Sequence, residues 1–191
     1  MIGEVATSLK FARPAAAQII GGIGFRTPGV AYYRSPMHDD IYYVKPPGIR
    51  TRTGAGGVVA RLEPAGNVLV ALIRPPHSSH YILPKGGVDA GESLRQAAER
   101  EIEEEAGFTR LKCLAELGVA ERLNSKRTAW QATHYFLFLT DQKKVTPTEL
   151  SDWEVAWFAP DALPDMRWRE QRKLVEDNLH KIRELVRAAG D

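Results

Sequence analysis

The chain is short of cysteine, of net charge and of long apolar runs, and each shortage removes a class of protein. Its 191 residues include one cysteine, Cys113. Neither a disulfide framework nor a cysteine metal site is therefore open to it. Cys113 lies in an apolar, strand-like run and reads as a core residue. A net charge of +2 is too small to argue for a nucleic-acid partner by itself. The uncharged stretch "PAAAQIIGGIGF" (Pro14–Phe25) is too short and too rich in glycine to span a bilayer. It also lacks the layout of a secretory signal. These absences lead us to expect a cytoplasmic protein without a membrane partner. No internal repeat is visible.

What is present is an ordinary globular composition, 43% hydrophobic and 26% charged. The length suits one domain with an extension and allows a core without covalent staples. Charge is unevenly placed. Residues 1–55 hold seven Lys/Arg against three Asp/Glu, which suits a phosphate-rich ligand and equally a solvated tail. Residues 1–48 have no clean period and are punctuated by Gly, Pro and Tyr. We read them as an irregular arm with one short strand at Ile41–Val44, followed by a domain over residues 49–191. A hairpin is expected from "GGVVARL" and "VLVALI" around the turn "EPAGN". "YIL" reads as a short strand stopped by Pro84. Further strands are expected at Leu111–Glu121, Trp130–Thr140 and Glu154–Phe158. A helix is expected from about Ser93 to Ala106 and another from about Arg169 to Ala189, where Val175, Leu179, Ile182 and Val186 recur at helical spacing. This is a mixed α/β domain with helices packed on a sheet.

The first helix carries the chemistry. Ser93 and Gln96 make a capping-box pair, and Gly107 suits the left-handed position after the last turn. Leu94, Ala98, Ile102 and Ala106 form its buried row. Glu101, Glu104 and Glu105 then share a face in the last turns. Like charges at that spacing cost roughly 0.2–0.5 kcal/mol per pair, and each carboxylate near a helix C-terminus about 0.3–1 kcal/mol more. Arg100 offsets part of this. A solvated acidic face is the plain alternative, but it gains nothing from this position. A divalent cation reverses the sign of every one of those terms, and an oxygen-only donor set favours Mg²⁺ or Mn²⁺. The preceding loop "PKGGVDAGE" lets backbone approach a ligand closely and places Lys85, a point charge suited to phosphate, at its start. Together these say phosphate ester or anhydride.

The segment also resembles the Nudix box, G-x5-E-x7-R-E-U-x-E-E-x-G-U, where U is a bulky apolar residue. Gly86, Glu92, Arg100, Glu101, Ile102, Glu104, Glu105, Gly107 and Phe108 fill all nine fixed positions. The resemblance implies an α/β/α sandwich with a mixed sheet, the box as loop–helix–loop, and Mg²⁺-dependent hydrolysis of a nucleoside diphosphate linked to another group. It implies that Glu101, Glu104 and Glu105 hold metal, that the Gly86 carbonyl joins them, and that Arg100 and Glu92 brace the box. Glu104 or Glu105 is in place to take a proton from the attacking water. So is a later-loop glutamate, for which Glu149 is first choice and Glu154 second.

The "LPKG" stretch (Leu83–Gly86) resembles the members that act on dinucleoside polyphosphates or diphosphoinositol polyphosphates. Extra cations make sense for such substrates. Arg61 and Arg74 are candidates beside Lys85, and Tyr81 and Trp130 are candidates to stack a base; each is also readable as an ordinary surface or core residue. An RNA 5′-end pyrophosphohydrolase and a non-catalytic nucleotide-binding regulator are the alternatives. The paired tyrosines Tyr32, Tyr33, Tyr42 and Tyr43 suggest that the arm helps to form a homodimer.

Overall fold

The computed structural model describes residues 39–145 and 153–190. One six-stranded mixed sheet organises them: β1 (Thr51–Leu62), β2 (Val68–Arg74), β3 (Lys85–Gly87), β4 (Lys112–Leu123), β5 (Trp130–Leu139) and β6 (Glu154–Phe158). The order is β4-β5-β1-β2-β6, with β3 paired to β1 beyond the end of β2. Only β1 and β5 run parallel. Helix α1 (Leu94–Ala106) covers one face, and α2 (Arg169–Asp177) with α3 (Leu179–Gly190) covers the other. The expected α/β/α sandwich is what forms.

Alternation along β1 and β2 sorts the core into two layers, as period-two side-chain placement requires. Val58, Ala60, Val70 and Leu72 meet Val175, Ile182 and Val186 on the α2/α3 side. Ala55, Val59, Ala71 and Ile73 meet Ala97, Ala98, Ile102 and Ala106 on the α1 side. Small residues bring α1 close to the sheet. A Cβ on Gly57 would collide with the side chain of Ile102, so this glycine sets the distance between helix and sheet.

Three expectations need correction. Residues Asp40–Tyr43 form a short 3₁₀ helix rather than a strand. Asp39 starts it, because its carboxylate accepts the Ile41 N–H at 3.2 Å and so offers the backbone a turn instead of a ladder. The C-terminal helix is two helices. The Asn178 amide donates to the carbonyls of Leu174 and Leu117, which ends α2 at Asp177 and ties the break to β4. Finally, "YIL" makes only isolated bridges, Tyr81 with Met166 and Ile82 with Ile73. The regular strand falls one step later, on "KGG".

Candidate active site

The box helix starts and stops as its sequence dictates. The Gln96 N–H donates to Ser93 Oγ at 3.3 Å, and Gln96 Oε1 accepts the Ser93 N–H at 3.0 Å. Gly107 takes a left-handed conformation (φ 73°) and its N–H donates to the Glu103 carbonyl. Between these ends Glu101, Glu104 and Glu105 are half-buried, while Glu103 points to solvent. The acid left exposed is the one the box pattern does not fix.

Arg100 gathers the loop around the helix. It donates Nε to Glu92 at 3.0 Å and Nη2 to the Gly87 carbonyl at 2.9 Å. Its Nη1 reaches Glu101 at 2.8 Å and Glu104 at 3.1 Å. Glu92 in turn accepts the Asp89 N–H at 3.1 Å. The ion pair with Glu92, followed by that with Glu101, raises the Arg100 pKa further, and the same bond holds Glu92 below the usual carboxylate range. One guanidinium fork thus joins the loop, the residue before the helix and the acids of its last turns.

β3 brings the loop against the acids. The Lys85 N–H donates to Glu105 at 2.8 Å. Glu101 lies directly over Gly86, where a Cβ would collide with its carboxylate. Burial pushes the Glu105 pKa up to about 7, with the Lys85 N–H opposing the shift. Burial also raises Glu101 against the pull of Arg100. Two enclosed carboxylates that stay raised despite one guanidinium, one amide and the Lys85 charge are under-compensated, and a divalent cation is the counter-charge such a set favours.

The donor chemistry fits a hard cation: three carboxylates, a glycine carbonyl, and a cradle that only glycine leaves open to Glu101. Among the described residues no three acidic, histidine or cysteine side chains converge on one point as they stand. Arg100 holds Glu101 and Glu104, and the Lys85 amide holds Glu105, so binding an ion means exchanging some of these bonds.

Lys85 leaves β3 on the opposite face from Glu101. Its Cβ faces Gly56 and the ring of Tyr135, which belongs to the α2/α3 layer. Burial, then Arg122, lowers its pKa. Arg74 and Tyr81 meet at Glu154, where the Tyr81 hydroxyl donates at 2.7 Å and Arg74 makes an ion pair. This cluster stands at the end of β2, where Arg74 lies opposite Glu154 on β6, next to the Ile73–Ile82 bridge. Trp130 is 6% exposed and donates Nε1 to Glu121 at 3.0 Å, so its ring faces neighbours rather than an open cleft. Arg61 is not brought to the site. It stacks on Trp157 and pairs with Glu63 at 2.6 Å, five residues along β1 from Gly56, or about 17 Å at strand rise. Glu149 lies outside the described residues.

The sequence reading missed a polar group behind Lys85. Arg122, 5% exposed, donates Nε to Glu170 at 2.9 Å and stacks over Trp168. The Tyr43 hydroxyl donates to Glu170 at 2.8 Å and accepts the Arg169 N–H at 3.2 Å. Gln171 is fully buried. The "RE" and "Q" at the start of a helix carry no periodic signal that would single them out.

Residues 51–177 match the NUDIX domain. The chain belongs to the Nudix family. As a Nudix hydrolase it acts on pyrophosphate bonds, and such enzymes generally use divalent metals such as Mg²⁺. Among curated proteins it is similar to the RNA pyrophosphohydrolase of Erythrobacter litoralis, with 28% identity over 172 residues that cover 80% of this chain and 98% of that one. Among solved structures it is similar to an Ap4A hydrolase of C. elegans in a binary complex, with a TM-score of 0.57, 26% identity, and coverage of 69% of this chain and 97% of that one. A MutT NUDIX hydrolase of Burkholderia pseudomallei superposes with a TM-score of 0.50 at 27% identity, over 66% of this chain and 97% of that one. No described helix of this Nudix hydrolase is long and apolar enough to cross a membrane.

Proposed function

We propose that this Nudix hydrolase cleaves a phosphoanhydride bond in a dinucleoside polyphosphate. The observation that carries the reading is the placement of Lys85: it immediately precedes the box glycine and is clipped by its own N–H to Glu105. The short strand that carries the cation is thus tied through its backbone to the acidic helix α1. The similarity to an Ap4A hydrolase supports the choice.

Glu101, Glu104, Glu105 and the Gly86 carbonyl would hold Mg²⁺ or Mn²⁺. When bound, the ion neutralises phosphoryl oxygens and lowers the pKa of water. The remaining work falls to the chain itself. Lys85 meets phosphate oxygens of the chain beyond the scissile bond. Arg74 and Tyr81, steered by Glu154, line the rim and contact the nucleoside. Glu104 or Glu105 accepts the proton of the attacking water, with Glu149 as the loop alternative. Arg100 and Glu92 keep the loop and the helix in register while this happens.

The test is a substrate panel in Mg²⁺ with the products identified by mass. It sets diadenosine tetraphosphate against a diphosphoinositol polyphosphate and 5′-triphosphorylated RNA. We expect the dinucleotide to give the highest kcat/KM. A preference for RNA by tenfold or more would overturn the choice in favour of 5′-end processing. That second reading is favoured by the similarity that spans 98% of an RNA pyrophosphohydrolase, and by the basic balance of residues 1–55.

Two organisational points belong to the same reading. Residues 49–191 form the catalytic unit of a cytoplasmic enzyme, and the arm over residues 1–48 attaches to it and helps two copies to associate. The packing of Tyr42 on Trp168, with ring centroids 5.5 Å apart, and the Tyr43–Glu170 bond support attachment at the arm's end.

A further inference from the structure

Leu83 is fully buried and precedes a proline. The ladder around it leaves its N–H without a strand partner. Ile82 exchanges both its backbone bonds with Ile73, and the next backbone bond to β1 is accepted by Pro84, from the Gly57 N–H at 3.1 Å. A buried N–H must find an acceptor. It finds Oε1 of Gln171, at 3.0 Å, 88 residues along the chain.

The same amide does a second task. Its Nε2 donates to the Tyr135 hydroxyl at 2.7 Å. Tyr135 is 1% exposed, and its ring edge lies 3.0 Å from where a Cβ on Gly56 would stand. The Cβ of Lys85 is 2.6 Å from that same point. Tyr135 and Lys85 therefore share the space that Gly56 leaves open. One buried glutamine fixes both the backbone leading into Lys85 and the ring beside the start of its side chain. Neither bond touches the acidic cluster, which lies across β3.

We propose that Gln171 is a positioning residue for substrate binding: it sets the Leu83–Lys85 segment, and through it the direction in which the Lys85 side chain leaves the strand. The helix that carries Gln171 is itself anchored. The N-cap residue of α2, Trp168, makes no side-chain cap bond. The Tyr43 hydroxyl takes that place, accepting the Arg169 N–H and donating to Glu170, while Glu170 grips Arg122. The first turn of α2 thus holds Gln171 against Leu83 from a fixed base.

The proposal rests on the reading of Lys85 as a phosphate contact, and the test separates the two. Steady-state kinetics on diadenosine tetraphosphate are measured for Gln171→Met, Lys85→Ala and the double variant. Gln171→Met keeps the length of the side chain and loses both hydrogen bonds. We expect it to raise KM several-fold with kcat within about twofold, and to add little once Lys85 is alanine. Gln171→Glu, whose carboxylate accepts from both Leu83 and the Tyr135 hydroxyl, is expected to recover part of the KM. A merely structural role would lower active enzyme and kcat at unchanged KM. If Gln171→Met leaves KM unchanged, or its effect persists in full beside Lys85→Ala, the proposal falls and the reading of Lys85 stands. If Lys85→Ala changes nothing on any polyphosphate, both fall. Should Gln171→Met fail to fold, Tyr135→Phe removes only the hydroxyl bond. It must then show the same KM shift, smaller in size, and the same dependence on Lys85; an unchanged KM overturns the proposal.

Discussion

Two adjacent glycines in the box make opposite predictions. A Cβ on Gly86 would collide with all three carboxyl atoms of Glu101, whereas a Cβ on Gly87 would meet nothing within 4 Å. Neither residue has a positive φ, so alanine is tolerated by the backbone at both and only the steric term differs. In Gly86→Ala the Glu101 carboxylate must leave a site where its side chain is 12% exposed and bonded to Arg100 at 2.8 Å. Overpacking of this kind costs about 1–3 kcal/mol, which for a domain of this size lowers Tm by about 2–12 °C. Misplacing a carboxylate of the acidic cluster costs rate as well, about 10- to 100-fold, the range for groups that orient a metal ligand. Gly87→Ala restricts only the unfolded chain and is expected to be neutral or to stabilise by up to about 1 kcal/mol, with unchanged activity. The assays are thermal melting and hydrolysis in saturating Mg²⁺. A Gly86→Ala enzyme with wild-type rate, or a Gly87→Ala enzyme damaged as badly as Gly86→Ala, would refute the claim that the Gly86–Glu101 contact shapes the site.

Chelation by EDTA should abolish hydrolysis, with recovery on adding Mg²⁺, and Glu104→Gln should lose most turnover; full activity in excess chelator would exclude a metal-dependent reaction. Arg100→Lys keeps the charge but loses the fork that joins Glu92, Gly87 and the helix acids. We expect a loss of about 10- to 100-fold in activity, read against the same Mg²⁺ titration. Tyr43→Phe removes both the acceptor for Arg169 N–H and the donor to Glu170, at a cost of about 1–3 kcal/mol visible as a lower Tm. A truncation of residues 1–48 discards Tyr42 and Tyr43 and one of residues 1–38 keeps them, so the longer truncation should melt lower. Light scattering on the 1–48 truncation then tests the dimer, with an unchanged mass counting against the arm's role in association.

The box helix was legible because everything that defines it is local. Its cap partners are three residues apart, Ala98, Ile102 and Ala106 of its buried face repeat every four, with Ala97 buried in place of the expected Leu94, and its stop is a glycine. β3 was not legible, because "KGG" has no side-chain alternation to read. It forms by pairing with Gly54, Ala55 and Gly56, at a distance only glycine permits. A Cβ on Gly54 would stand 2.7 Å from the Gly86 carbonyl oxygen, and one on Gly56 2.5 Å from that of Pro84. The early part of β1 was hidden for the same reason. "TRTGAG" has little apolar pattern, yet ten residues from Thr51 to Ala60 pair in parallel with β5, and the register comes from that neighbour.

The candidate substrate cations show a different limit. Arg61 and Arg74 look alike in sequence, each a cation at the end of an apolar run. Strand direction separates them, because β1 ends at the turn "EPAGN" and β2 returns from it, so one arginine is carried away from Lys85 and the other towards it. Gln171 is further out of reach. Nothing near it in sequence hints at Leu83, since the need arises where the ladder passes from Ile73 on β2 to Gly57 on β1 and leaves the buried Leu83 N–H to be satisfied from another layer. That need is visible only once the chain is folded, and it places a residue of the second helix layer in control of a lysine next to the box. A catalytic motif can thus be complete within 23 residues and still depend, for the direction of its neighbouring cation, on an amide 86 residues beyond that lysine.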